Sequence, residues 1–176
     1  MIQKKFCPYC GGPLTKKWWE GTERLFCDTC IKAIYENPLP AACTVVVDNQ
    51  NRILLVERSV APQAGKWCLP GGFMELGETS EGAALRELKE ETSLTGRIDT
   101  LLGVTTSRGE HHPMVLLIGY LVTNYTGDPV AGDDASDVGF FPISNLPEIA
   151  FSTHRHFIRI YCAAHAKIFK EMAIFL

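Results

Sequence analysis

Glu78, Arg86, Glu87, Glu90 and Glu91 lie within fourteen residues of one another, just after the glycine pair Gly71-Gly72. Like charges so close repel one another, and a helix gains nothing from clustering them. A hard divalent cation such as Mg2+ is the natural counterion for several carboxylates gathered in one place. If residues 79–93 form a helix capped by Thr79 or Ser80, each residue advances by about 100°. Glu87, Glu90 and Glu91 then share one edge as i, i+3 and i+4 positions. Leu85, Leu88 and Thr92 form a neighbouring stripe that can face a core. Glu78 precedes the helix, where Arg86 can grip its carboxylate with both arms of the guanidinium. A solvated acidic helix face is the plainer reading, but it leaves Pro70-Gly71-Gly72, Gly77 and the Arg86–Glu87 pair without a purpose.

These residues resemble the Nudix box of the Nudix hydrolase family. Gly72, Glu78, Arg86, Glu87, Leu88, Glu90, Glu91 and Leu94 match its spacing, and Trp67-Cys-Leu-Pro-Gly-Gly resembles the usual approach to it. Ser93 departs from the pattern, which has glycine there. A helix end in the left-handed conformation suits glycine, so serine should cost about 1 kcal/mol or the helix must end differently. The resemblance spans residues from about 41 to 147. It implies an α/β/α sandwich with a mixed sheet, and metal-dependent hydrolysis of a diphosphate bond in a nucleotide derivative of the ADP-ribose, FAD or NADH type. It also implies Mg2+ or Mn2+ held by Glu87, Glu90, Glu91 and the Gly72 carbonyl. Arg86 would orient Glu78 and Glu87, and Glu78 would be a supporting group or a proton acceptor. Metals suit this chemistry because a diphosphate is anionic and repels hydroxide.

The resemblance also implies a general base or extra metal ligand from a later loop. Gly132-Asp133-Asp134-Ala-Ser-Asp137 is the acidic candidate, with Asp133 or Asp134 ahead of Asp137, Asp134 named for the role, and an ordinary solvated turn as the alternative. Arg108 is the expected substrate cation. Phe73 is either a core residue or a pocket wall beside a base. His111 and His112 fall in the loop near the expected site mouth, and His154, His156 and His165 are expected on the surface of the last helix. NADH pyrophosphatases carry a Ser-Gln-Pro-Trp-Pro-Phe-Pro-like signature that this sequence lacks. Two other functions compete: pyrophosphohydrolysis of damaged nucleoside triphosphates, and a nucleotide- or RNA-binding regulator on the same scaffold. The intact glutamates argue against the regulator.

A second metal signal precedes the box. Cys7-Pro-Tyr-Cys10 and Cys27-Asp-Thr-Cys30 are two C-x2-C pairs sixteen residues apart. That spacing reads as a tetrahedral structural Zn2+ site, with two disulfides as the competitor. Three further cysteines, Cys43, Cys68 and Cys162, and no recognisable secretory signal favour a reducing, cytoplasmic setting and hence the metal. Residues 1–36 are expected as a zinc ribbon and 37–176 as the hydrolase domain, with Asn37-Pro-Leu-Pro40 as linker. The ribbon carries six Lys or Arg against four Asp or Glu. That surplus is too slight to make nucleic acid the expected partner, although Lys16, Lys17, Trp18 and Trp19 form a weak basic, aromatic surface. The tryptophans and the apolar residues 173–176 suggest a homodimer contact instead.

The rest must position the site. The net charge is −3 and 46% of residues are hydrophobic, ordinary for a globular chain. The longest apolar run, 115–122, is too short to span a membrane. Strands are expected at 41–48, 52–57, 96–106, 114–123 and 138–142. A last helix, 153–172, should bury Phe157, Ile160, Tyr161, Ala164, Ile168 and Met172.

Overall fold

The computed structural model describes residues 4–108 and 114–172, with side chains in the last helix described as far as residue 165. The chain divides into two compact units, Met1–Pro38 and Leu39–Leu176.

The first unit is a three-stranded antiparallel sheet, β1 (Thr15–Trp19), β2 (Thr22–Cys27) and β3 (Lys32–Ile34), in that order. Its interior is little more than Cys7, Phe26, Cys27 and Ile34. Such a core is too small to hold a fold by apolar burial alone.

The second unit is built around β4 (Leu39–Val46), β5 (Arg52–Arg58), β6 (Trp67–Cys68) and β7 (Gly71–Phe73), then α1 (Ser80–Thr92). After these come β8 (Thr95–Arg97), β9 (Thr100–Ser107), β10 (Val115–Val122), β11 (Asn124–Thr126), β12 (Ala135–Pro142) and α2 (Ser152–Met172). A mixed sheet runs β7-β4-β10-β9, with β4 and β10 parallel and the other pairs antiparallel. A second sheet, β12-β5-β6, is antiparallel, and β8 pairs with β11.

Strand β4 is buried on both faces, and its alternation shows why. Cys43, Val45 and the following Val47 join the cluster holding Phe157, Ile158 and Tyr161 of α2. Ala42 packs with Ala83 and Ala84 of α1, and Val46 with Leu88. The two helices thus cover opposite faces, the expected α/β/α sandwich.

The structure corrects several boundaries. The expected linker ends early, because Leu39 and Pro40 already pair with Val115 and Leu116. The single strand expected at 96–106 breaks into β8 and β9 at Ile98-Asp99. There the Asp99 carboxylate turns to accept from the Thr123 backbone and hydroxyl and from Asn124. On α2, Ala164 is exposed, and Ile158 is buried with Phe157 and Tyr161, so the stripe is rotated from the one expected. His154 is buried, not on the surface. His111 and His112 lie outside the described residues. No helix among the described residues is long and apolar enough to cross a membrane.

Candidate active site and candidate metal centre

Helix α1 begins where the Thr79 hydroxyl accepts the Gly82 N–H at 3.1 Å. It ends at Ser93, which takes the left-handed conformation (φ 62°) while its N–H bonds the Lys89 carbonyl at 2.9 Å. Serine therefore occupies the backbone state that suits glycine, and the helix stops at the same point.

Arg86 organises the box. Its Nε and Nη2 grip both oxygens of Glu78 at 3.1 and 2.9 Å. Its Nη1 reaches Glu87 Oε1 at 2.8 Å and Glu90 Oε2 at 2.9 Å, and Nη2 also holds the Phe73 carbonyl at 3.0 Å. The guanidinium keeps the Glu78 carboxyl below its usual range. Glu91 is only 7% exposed and accepts the Gly71 N–H at 2.9 Å. Burial pushes its carboxyl up to about 7 despite that bond, with the charges of Glu87 and Asp133 adding to the rise. Burial also raises Glu87, against the pull of Arg86.

Both glycines permit close approaches. A Cβ on Gly71 would stand 2.4 Å from the Ala42 carbonyl oxygen, and one on Gly72 would stand 2.4 Å from Glu87 Oε1. The Glu87 carboxylate therefore rests directly against the Gly72 backbone.

The box opens on a cavity of about 840 Å³. Gly72, Phe73, Arg86, Glu87 and Glu91 line it from one side, and Arg108, Asp133 and Asp134 also border it. Glu90 does not. Of the two aspartates, Asp133 acts electrostatically on Glu87 and Glu91. The Asp134 backbone carbonyl is held by Ser59, through its N–H at 2.8 Å and its hydroxyl at 2.6 Å. Val130 and Gly132 donate to the Thr92 and Glu91 carbonyls, which fastens this loop to the end of α1. The wall from β5 and α2, including Arg58 and His154, was not anticipated. Arg58 stacks 5.2 Å from the Phe151 ring while its Nε bonds the Pro62 carbonyl at 2.8 Å. No periodicity in the sequence links residues so far apart.

Each of the three helix glutamates keeps one oxygen without a hydrogen bond among the described residues: Glu87 Oε2, Glu90 Oε1 and Glu91 Oε1. Uncommitted carboxylate oxygens are the ligands a hard cation takes. Unlike the cysteine sulfurs, these oxygens do not form a group of three within 4.8 Å of one another among the described residues.

In the first unit, the sulfurs of Cys7, Cys10, Cys27 and Cys30 all lie within 4.8 Å of one another. The Cys7–Cys30 and Cys10–Cys27 separations are 4.0 and 3.5 Å, and all seven cysteines are free. Sulfurs at the corners of a zinc tetrahedron stand about 3.8 Å apart, from bonds near 2.3 Å. The Tyr9 and Cys30 amides point at the Cys7 and Cys27 sulfurs, each at 3.4 Å. The four thiols fit a tetrahedral metal centre and not a pair of disulfides. The surface lysines beside them are largely spent: Lys16 pairs with Glu23, Lys17 with Asp28 and Lys4 with Glu36. Trp18 is 76% exposed, and Trp19 packs against Phe26.

A profile of the NUDIX domain matches residues 37–160. The chain belongs to the NUDIX family. Among relatives, an ADP-ribose pyrophosphatase of Methanocaldococcus jannaschii is 41% identical over 117 residues, which are 66% of this chain and 69% of that protein. An NAD-capped RNA hydrolase NudC of Vibrio atlanticus is 30% identical over 149 residues, 83% of this chain and 52% of that one. This chain thus spans about half the length of its NudC relatives. The crystal structure of a NUDIX hydrolase from Nitrosomonas europaea matches this NUDIX chain with a TM-score of 0.73 at 31% identity, covering 88% of each.

Proposed function

We propose that this chain hydrolyses the diphosphate bond of an ADP-ribose-type nucleotide. The observation that carries this reading is the set of carboxylates organised by Arg86 at the wall of an 840 Å³ cavity, with Glu91 buried in it. A cavity of that size is ample for a dinucleotide-sized ligand. The similarity to an ADP-ribose pyrophosphatase supports the substrate class.

In this reading Glu87, Glu90 and Glu91 hold Mg2+ or Mn2+ through their uncommitted oxygens, with the Gly72 carbonyl beside them. A divalent ion there supplies charge screening and an activated water. Arg86 is a positioning residue, since its donors are engaged with Glu78, Glu87, Glu90 and the Phe73 carbonyl. Glu78 is a poor proton acceptor because Arg86 and the Glu75 amide stabilise its charged form. Asp133, whose charge reaches Glu87 and Glu91, is the proposed base in place of Asp134. Arg108 and Phe73 border the same cavity and are the proposed substrate contacts. The four cysteines of the first unit hold a structural Zn2+.

The NudC similarity raises a capped RNA end as a second substrate. The ion pairs that neutralise Lys4, Lys16 and Lys17 weigh against a long RNA track on the first unit. A panel of ADP-ribose, NADH, FAD, nucleoside triphosphates and NAD-capped RNA, each with Mg2+ or Mn2+, tests the reading. ADP-ribose should turn over fastest. Preference for triphosphates would move the chain to the house-cleaning class.

A further inference from the structure

The first turn of α2 brings to the cavity a group that the hydrolase reading leaves unused. His154 is 6% exposed, and its Nδ1 accepts the Leu69 N–H at 3.0 Å. With Nδ1 an acceptor, a neutral ring must carry its proton on Nε2. Burial, with the charges of Arg58 and Arg155 nearby, holds the pKa down to about 3, so the ring stays neutral at ordinary pH. The Nε2–H is thus a standing donor. It has no acceptor among the described residues. Nor is it sealed in protein: among those residues, the sealed side-chain polar atoms without a partner are Arg24 Nε and Thr44 Oγ1. His154 borders the cavity, and Nε2, the ring nitrogen left without a protein partner, is the polar atom it can offer there. A donor at a cavity wall with no protein acceptor is open to a ligand oxygen.

The backbone around it asks for the same kind of ligand. The first bond of this helix end runs from the Arg155 N–H to the Phe151 carbonyl at 3.2 Å. The amides of Ser152, Thr153 and His154 therefore have no acceptor within the helix. These residues border the cavity too, at the positive end of a 21-residue helix. Such an end favours an anion.

The box is close by. Leu69 gives its amide to His154, and Gly71 gives its amide to Glu91. Two residues of chain span at most about 7 Å. His154 and Glu91 are thus held by neighbouring amides of one short stretch of chain, and both border the cavity.

We propose that His154 is a specificity-determining residue whose Nε2–H, with the amides at the start of α2, holds the phosphate that water does not attack. The assignment rests on the diphosphate-hydrolase reading. It selects for two linked phosphates over one.

The test uses the full chain labelled with 15N-histidine, with ADP and Mg2+ as the probe. Adding the probe should shift the Nε2–H resonance that His154→Asn removes. The Asn variant can still accept from Leu69 but is too short to reach the ligand, so its KM for ADP-ribose should rise roughly tenfold with kcat little changed. His154→Gln, whose amide nitrogen can stand near the lost Nε2, should recover most of that affinity. A purely structural His154 predicts an unmoved resonance and a normal KM in the Asn variant. Either result overturns the assignment. If the wild-type chain leaves ADP-ribose intact while ADP still shifts the resonance, the hydrolase reading fails and the phosphate contact stands.

Discussion

The Gly71 amide points at Oε2 of Glu91 from 2.9 Å, joining the loop before the helix to the most buried carboxylate of the box. Glutamine can accept that N–H as well as glutamate can, but it offers no charge to a cation. Glu91→Gln should therefore leave the fold and melting temperature nearly unchanged. Its kcat for ADP-ribose with Mg2+ should fall by roughly 100-fold or more. Steady-state kinetics beside a thermal melt check both halves.

The contact between Gly72 and Glu87 gives a second prediction. In Gly72→Ala the new Cβ would stand 2.4 Å from Glu87 Oε1, and the carboxylate, being the end of a flexible side chain, would swing away. Stability should change by less than about 1 kcal/mol, since little backbone must move. Turnover should drop roughly tenfold or more, as a small misplacement at a reacting centre does. Normal kinetics in this variant would remove Glu87 from the site.

Ser93 holds a left-handed conformation with φ 62°. Ser93→Gly should relieve that strain, and chemical denaturation should show the protein more stable by about 0.5–1 kcal/mol. Catalysis should not change.

His154 couples stability to acid. Its folded pKa, about 3, lies below the unfolded value of about 6.5. The unfolded chain therefore binds a proton in that window and the folded chain does not. The contribution is complete above pH 6.5 and is lost as pH falls toward 3, with a slope of about 1.4 kcal/mol per pH unit. Urea melts of wild type and His154→Asn across that range should diverge by that slope. Parallel curves would mean the ring is charged in the folded state.

Removing metal should unfold the first unit. With an interior of four main residues, Met1–Pro38 should rely on the proposed metal to bridge its thiolates. A strong chelator should release one Zn2+ per chain by elemental analysis and abolish amide protection in residues 4–38. Retained protection would show the sheet to be self-sufficient.

The box was legible in the sequence because its contacts are local. Glu78 and Arg86 are eight residues apart, and helical periodicity alone brings Glu87, Glu90 and Glu91 to one edge. The cysteine centre was legible for the same reason, through two short knuckles. The burial of His154 is not legible in the sequence, because its partner Leu69 lies eighty-five positions away and polar residues early in a helix are ordinarily exposed. The break at Asp99 has no local signature, because its partners Thr123 and Asn124 are brought near only by the paired strands. The Ser59 contact that holds the Asp134 backbone likewise has no sequence signature.

Strand β4 touches α1 through Ala42 and Val46 and α2 through Cys43 and Val45. The helix bearing the carboxylates and the helix bearing His154 are therefore indexed to one eight-residue ruler. Repacking either face of that ruler would tilt one wall of the cleft against the other, so the spacing between Glu91 and His154 is set by apolar side chains that never meet a ligand.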